Sequence, residues 1–261
     1  MIVASWNVNS VRLRVPLIQQ WLRQRAPDIV CLQELKCQDK DFPTEAFSEL
    51  GYNSLVWGQK AYNGVALLSK MPLEDVRRGL TDEPETEDAR YLEAFALVEG
   101  MPLRIGGLYA PNGNPAPGPK FDAKLAWMQR LRARAQTLLQ QEEMVVLLGD
   151  YNIIPADEDV YAPEQWRDDA LCRPQARALW RTLLHDGFSD AVAHAWRGKA
   201  RPYTFWDYQG GAWRKDNGLR IDHALLSPQA SDCLHAVGID KEWRGEPKPS
   251  DHVPVWVELK R

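Results

Sequence analysis

Val145-Val146-Leu147-Leu148-Gly149-Asp150-Tyr151-Asn152 is the stretch whose reading decides the fold. An unbroken apolar run precedes the glycine, which predicts a strand covered on both faces rather than a half-solvated one. The strand stops on Asp150, with Asn152 two residues on. Alternate residues of an extended chain point the same way, so a carboxylate and an amide would project together from the rim of a hydrophobic sheet. A carboxylate there is costly unless hydrogen bonds, a cation or a metal compensate it. An Asp-Tyr-Asn turn accounts for the same residues, since Asp and Asn both favour turns. What separates the two readings is whether other strands end in the same way at the same rim.

They do. Ile2 to Trp6 is apolar and stops on Asn7-Val8-Asn9. Asp28 to Leu32 is apolar and stops on Gln33-Glu34. Leu103 to Leu108 stops on Tyr109-Ala110-Pro111-Asn112-Gly113. Two later strands, Ile221 to Leu226 and Asp251 to Val257, begin with acid instead, at Asp222 and at Asp251-His252. If these run antiparallel to the first group, all of these positions share one rim. The architecture that satisfies this is a four-layer α/β sandwich, two mixed β-sheets packed face to face with helices outside. No linker divides the chain, so residues 1–261 are expected to form a single domain. The two halves look loosely alike, each opening with an apolar strand that ends in Asn-x-Asn or Asp-x-Asn.

Between these strands, a helix is expected with Pro16 in its first turn and Leu17, Ile18, Trp21 and Leu22 on one face, and another over Phe42 to Leu50. Two more are expected over Phe121 to Gln141 and Pro174 to Asp186, the last stopped by Gly187. Leu125, Met128, Leu131, Ala135 and Leu138 mark the inner face of the third. Arg130, Arg132 and Arg134 read as its solvated outer face. Ser54 to Trp57 and Gly64 to Leu68 read as strands turned by Asn63-Gly64. Tyr91 to Val98 reads as another, and Tyr203 to Tyr208 as an aromatic one. Thr81 to Asp88 is dense in acid and reads as a solvated loop.

Composition narrows the function. A formal charge of −4 gives no global basic signature for nucleic acid, which weighs against a coating protein. It leaves room for a nuclease that meets phosphate through a local patch or a metal. Four scattered cysteines without a CxxC pair fit a reducing compartment better than a disulfide framework. With no signal-like segment and no membrane-length apolar run, the expected location is cytoplasmic.

The rim itself suggests the chemistry. Glu34 and Asp251 offer hard oxygen ligands, and carboxylates with amides suit Mg²⁺ or Mn²⁺ rather than zinc. Side chains of Asp251 and His252 would point apart in a strand, so Asp222 on a neighbouring strand is the better partner to orient His252. Asp150 could then act as a base for water, and Asn7 and Asn152 could donate to phosphate oxygens. The ensemble reads as metal-assisted hydrolysis of a phosphoester. Each residue alone has an ordinary structural explanation: Glu34 could pair with Lys36, Asp222 with Arg220, and His252 could cap a loop. Those explanations do not say why nearly every apolar strand starts or stops this way, since clustered acids at one rim repel one another.

Seven motifs occur in order: Asn7-Val8-Asn9, Leu32-Gln33-Glu34-Leu35-Lys36, Asn63-Gly64-Val65-Ala66, Tyr109-Ala110-Pro111-Asn112-Gly113, Gly149-Asp150-Tyr151-Asn152, Leu219-Arg220-Ile221-Asp222 and Ser250-Asp251-His252. In these the chain resembles the exodeoxyribonuclease III / AP endonuclease family, within the wider endonuclease/exonuclease/phosphatase superfamily, over essentially its whole length. The resemblance implies Mg²⁺-dependent cleavage of double-stranded DNA 5′ to an abasic site, leaving a 3′-hydroxyl. It also implies room for 3′-to-5′ exonuclease and 3′-phosphatase activity on 3′ ends, by a monomer. Carried over by motif, Glu34 is the main metal ligand, with Asn7 and Asp251 near the metal and Asp150, Asn152 and His252 beside it. Asp150 activates water or protonates the leaving group. Tyr109 and Asn152 stabilise phosphate charge, and His252, held by Asp222, contacts the scissile phosphate. Phe205, Trp206, Leu219 and Ile221 match the region of the abasic-sugar pocket, and Arg12, Lys36 and Asn112 are candidate DNA-backbone contacts.

Tyr151 and Asn9 depart from residues common in relatives, the second from an Asp. Rival readings are another phosphoesterase of the same fold, or a DNA-binding protein without activity. Secreted relatives bring disulfides, and DNase-like ones a histidine in place of Tyr109. An inactive scaffold would lack a rim residue.

Overall fold

Val145 and Leu147 face one hydrophobic core, and Val146 and Leu148 face another. That alternation is the physical content of the apolar run: the strand lies between two packed layers. In the computed structural model, which describes residues 1–83, 87–200 and 202–260, twelve strands form two six-stranded sheets. The strands are β1 (Ile2–Asn7), β2 (Ile29–Gln33), β3 (Asn53–Trp57), β4 (Val65–Ser69), β5 (Glu74–Arg78) and β6 (Tyr91–Val98), then β7 (Met101–Tyr109), β8 (Val145–Asp150), β9 (Ser189–Asp190), β10 (Asp222–Leu226), β11 (Leu234–Ile239) and β12 (Val255–Leu259). The main helices are α1 (Val11–Arg25), α2 (Thr44–Ser48), α3 (Pro119–Leu139), α4 (Pro163–Trp166), α5 (Pro174–Asp186) and α6 (Ala191–Ala195).

One sheet runs β11-β12-β1-β2-β4-β3 and the other β5-β6-β7-β8-β10-β9. Each is mixed. β1 pairs with β2 in parallel and with β12 antiparallel; β8 pairs with β7 in parallel and with β10 antiparallel. The likeness of the two halves is therefore topological: the strand ending in Asn7 and the strand ending in Asp150 hold equivalent places. Between the sheets, Val3, Ile29, Cys31 and Leu67 meet Ile105, Val146, Leu148 and Ala224. A Cβ on Gly107 would lie 2.1 Å from the Cys31 sulfur, so glycine there lets the sheets approach. Burial pushes the Cys31 thiol up to about 12, an inert buried group. Trp6, Ile18, Trp21 and Leu32 fill the layer under α1 and α2. Met128, Leu131, Leu147 and Trp180 fill the one under α3 and α5. The order is helices, sheet, sheet, helices, as expected.

Several local expectations are corrected. Pro16 lies inside α1, whose first residue is Val11. Asn63-Gly64 closes the longer loop between Trp57 and Val65, rather than making a two-residue turn. Tyr203 to Tyr208 is not a strand; only Phe205 makes isolated bridges, to Leu219 and His252. Asp251 and His252 precede the last strand, which starts at Val255. The exposed strand β5 and the edge strands β9 and β11 escaped the sequence reading. Arg132 and Arg134 are not simply solvated: Arg132 grips Asp186 of α5, and Arg134 makes a two-pronged pair with the fully buried Glu93. Residues 84–86 of the acid-rich Thr81–Asp88 segment lie outside the described residues; Glu87 within it accepts hydrogen bonds from the Leu80 and Thr81 amides. Among the described residues no helix is long and apolar enough to cross a membrane.

Candidate active site

The register of the second sheet sets three rim residues in a row. Tyr109, the last residue of β7, pairs with Asp150, the last of β8, and Asp150 pairs with Asp222, the first of β10. In the first sheet Asn7 pairs with Gln33, and Glu34 follows directly. Asn7 joins the sheets: its amide donates to Glu34 Oε1 at 2.9 Å and to Asp150 Oδ2 at 3.0 Å. Its side-chain Oδ1 accepts from the Asn9 backbone N–H at 3.1 Å.

The rim is made of backbone conformations that most side chains avoid. Asn9, Glu34, Lys36, Asn63 and Asn152 all have φ between 43° and 53°. Such positions cost free energy and persist only where the surroundings hold them. Here the Ser10 amide holds the Glu34 carbonyl, and the Lys36 amide bonds the Asn63 carbonyl. Asn152 is therefore not an extension of β8. The Asp150 side chain accepts the Asn152 amide at 2.9 Å, so the turn is real and the carboxylate sits in it.

His252 comes from the segment before β12. Its Nδ1 lies 2.8 Å from Asp222 Oδ2, and its Nε2 lies 3.7 Å from Asp150 Oδ2. Burial alone would lower the imidazole, but Asp222 and Asp150 outweigh it and push it up to about 10. Burial raises Asp150 to about 7, with the nearby Asp222 charge adding to it and His252 opposing it. Burial also raises Glu34, yet hydrogen bonds from Lys36 and Asn7 hold it below its ordinary value. The Tyr109 phenol, raised by burial and by the Glu34 and Asp150 charges, stays a donor.

Ligand atoms of Glu34, Asp150 and His252 all lie within 4.8 Å of one another, close enough to surround one cation. A protonated imidazole cannot ligate, so the oxygen donors of Glu34 and Asp150, with Asn7 between them, are the better fit to a hard divalent ion. Asp251 is outside this group. Its Oδ1 accepts from Asn9 Nδ2 at 3.0 Å, and Asn9 also accepts from Lys36. Lys36 in turn lies 2.9 Å from Glu34 Oε2. The Asn152 side chain is engaged at both ends, donating to the Ala110 carbonyl and accepting from Asn112.

Arg12 and Asn112 are exposed at the rim, and Lys36 is partly so. Phe205 and Leu219 line an open pocket of about 310 Å³ together with Tyr161 and Trp166, and the Phe205 ring meets His252 edge-on at 4.9 Å. Trp206 and Ile221 are corrected. Trp206 is fully buried against Ala212 and Val253 with its indole N–H on Asp216, and Ile221 is 3% exposed in the core under α3. Leu219 is just as buried, at 2% exposure, so of these four residues Phe205 alone is partly exposed.

Several further residues shape the site. The Arg90 guanidinium stacks on Tyr109 at 4.8 Å. The Thr204 hydroxyl accepts the Ile221 and Asp222 amides at 3.1 Å, fixing the start of β10. Arg220 does not pair with Asp222; fully buried, it binds Asp159, Asp190 and the ring of His223. Lys124 is also buried. One signal for it was present, because Phe121, Lys124, Met128, Leu131, Ala135 and Leu138 repeat at spacings of three and four.

Comparison with known proteins gives one consistent result. Residues 4–252 match the Endonuclease/Exonuclease/phosphatase family. Exodeoxyribonuclease III of Haemophilus influenzae is 31% identical over 263 residues, covering 98% of each chain. The solved structure of the 3′ phosphatase NExo from Neisseria, bound to product DNA hairpin, superposes with a TM-score of 0.94 at 37% identity over 100% of both chains. That of an AP endonuclease from Archaeoglobus fulgidus does so with a TM-score of 0.93 at 32% identity, again over 100% of both.

Proposed function

The chain belongs to the endonuclease/exonuclease/phosphatase family and is an exodeoxyribonuclease III-like nuclease; we propose that it incises double-stranded DNA on the 5′ side of abasic sites, leaving a 3′-hydroxyl, with Mg²⁺ as its cation and Mn²⁺ able to substitute. The observation that carries this is the position of Asp150, whose Oδ2 is 3.0 Å from Asn7 Nδ2 and 3.7 Å from His252 Nε2. One carboxylate thus borders both the oxygen-ligand side of the rim and its cationic side.

Glu34, Asp150 and Asn7 would hold the divalent ion, which when bound supplies positive charge to a phosphate oxygen. His252, kept protonated by Asp222, faces the phosphate as a fixed cation. Tyr109 and Asn152 donate to the non-bridging oxygens, where charge grows in the transition state. Asp150, ionised, takes the proton of the attacking water, or, protonated, gives one to the departing 3′-oxygen. Its upward shift toward neutrality suits either step. The new bond joins water oxygen to phosphorus; the bond to the 3′-oxygen breaks.

The pocket beside His252, with Phe205, Leu219, Tyr161 and Trp166 as apolar walls and Asp207, Gln209 and Asn217 as polar ones, supports an abasic substrate. A sugar without its base leaves the stack at low cost and presents both apolar and hydroxyl surface to such a recess. A second reading, trimming of 3′ ends and 3′-phosphates, is favoured by the likeness to the 3′ phosphatase NExo, and the same rim would serve it. We take the protein to be a monomer, and a cytoplasmic one, the second in keeping with four free cysteines.

The test is a side-by-side assay on a duplex with one tetrahydrofuran site and a duplex with a recessed 3′-phosphate, with Mg²⁺ or EDTA. A metal-dependent nick that Asp150→Asn abolishes is expected. No nick, or an undiminished one in the variant, overturns abasic incision; activity on the second duplex alone selects the 3′-end reading.

A further inference from the structure

Behind the rim lies a buried cation that the hydrolytic scheme does not use. Lys124, on α3, is 0% exposed. Its ammonium donates to three backbone carbonyls, those of Asn112 at 3.0 Å, Ala170 at 3.3 Å and Asn152. The three come from separate segments: the loop between β7 and α3, the turn after β8, and the stretch before α5. A buried ammonium is expensive, and the rest of its stripe is apolar, from Phe121 through Leu138. Methionine or leucine would serve packing there. The loop is also shaped around the lysine stem. Gly113 has φ 90°, and a Cβ on it would stand 2.6 Å from Lys124 Cδ.

What the ammonium holds is the turn that carries the site. Asn152 has φ 47° without being glycine. Its own amide N–H bonds Asp150 Oδ1, one hydrogen of its side-chain amide bonds the Ala110 carbonyl and leaves the second for a phosphate oxygen, and its side-chain oxygen accepts from Asn112. Lys124 secures the remaining group, the Asn152 carbonyl, and with it the Asn112 carbonyl.

We propose that Lys124 is a positioning residue for the hydrolysis: by gripping the Asn112 and Asn152 carbonyls it fixes the left-handed turn, and so the aim of the Asn152 amide at the phosphate. This rests on the hydrolase reading above. Misplacing a catalytic group by about 1 Å costs on the order of 100-fold in rate, so removal of the ammonium should act on kcat more than on KM.

The experiment is a double-mutant cycle with Lys124→Met, Asn152→Ala and both together, on the duplex that the wild type cleaves, with urea unfolding alongside. Lys124→Met should lower kcat about 100-fold with KM little changed, and should add almost nothing in the Asn152→Ala background. Multiplying losses, or an unchanged kcat, would overturn the proposal. Should the methionine variant not fold, Lys124→Gln, which removes the charge and keeps two of the three donors, carries the same cycle. A wild type inactive on both duplexes would overturn the hydrolase reading; an active wild type with multiplying losses overturns only the role of Lys124.

Discussion

Asp222 Oδ2 lies 2.8 Å from His252 Nδ1, and this contact turns the far nitrogen of the ring toward Asp150, 3.7 Å away. Asp222 opens β10 and His252 lies ahead of β12, so the pair also ties the second sheet to the segment that leads into the last strand of the first. Because the imidazole is buried, it would be neutral without the carboxylate. With it, the ring is pushed up to about 10. Asp222→Asn should return the His252 pKa toward or below its ordinary value. NMR titration of the ring protons in both proteins, without metal, measures this; an unchanged pKa would refute the pairing.

The same shifts fix how the metal-free protein responds to pH. His252 is raised from 6.5 to about 10, so its stabilising contribution is complete below about 6.5 and is lost as pH climbs through about 10. Asp150 is raised from 3.8 to about 7, so the folded state again holds the proton more tightly, and stability falls as pH rises between those values. Both groups give the same sign. His223, lowered to about 4, gives the opposite sign up to about pH 6.5, so the net decline of the urea midpoint in EDTA should run from about pH 6.5 to about pH 9. Saturating Mg²⁺ should flatten the acidic part of that decline, because a bound cation replaces the proton on Asp150. A midpoint that rises over this range would contradict the assignment.

Asn7 is expected to govern metal affinity. Its amide bridges Glu34 and Asp150, holding two like charges at a fixed separation. Asn7→Ala frees them to repel and reorient. Loss of such an orienting partner typically costs about 10–100-fold in metal affinity. Calorimetric titration with Mn²⁺ reads the change directly, without relying on catalysis; binding as tight as wild type would remove Asn7 from the site.

How much of this was legible before folding depended on where the side chains go. Val145 to Leu148 could be read as a doubly covered strand because each of its residues enters one of two cores. Asn7, Glu34, Asp150 and Asp222 could be read as a rim because a polar group at the end of an apolar strand needs a reason. Glu74–Arg78 could not, since an edge strand that is mostly exposed carries no apolar pattern. The aromatic run at Tyr203 to Tyr208 misled because its rings serve separate ends, Phe205 on His252 and Trp206 in its own cluster. Arg134 was hidden, and the partners of Lys124 with it, for a different reason. Charge on a helix usually faces water, and their partners are backbone carbonyls and a buried acid that no local spacing reveals.

Arg220 supplies the last prediction. Its guanidinium is buried and reaches Asp159 at 2.7 Å and Asp190 at 2.8 Å. It also donates to His223 Nδ1 at 2.8 Å, which leaves Nε2 to donate to the Ile153 carbonyl at 3.0 Å. That arrangement needs a neutral His223, and burial together with the Arg220 charge lowers the imidazole to about 4. The network pins the chain that follows Asn152 to the start of β10, beside Asp222. Arg220→Met keeps the volume but leaves two buried carboxylates without their guanidinium, a change that costs about 3–5 kcal/mol. By contrast, the Arg167–Glu164 pair is 71% and 79% exposed, and Arg167→Ala should cost under about 0.5 kcal/mol. Urea unfolding of the two variants separates them. Part of the Arg220→Met loss should return in acid, once Asp190 can be protonated. If Arg220→Met is as mild as Arg167→Ala, the buried network does not hold the rim.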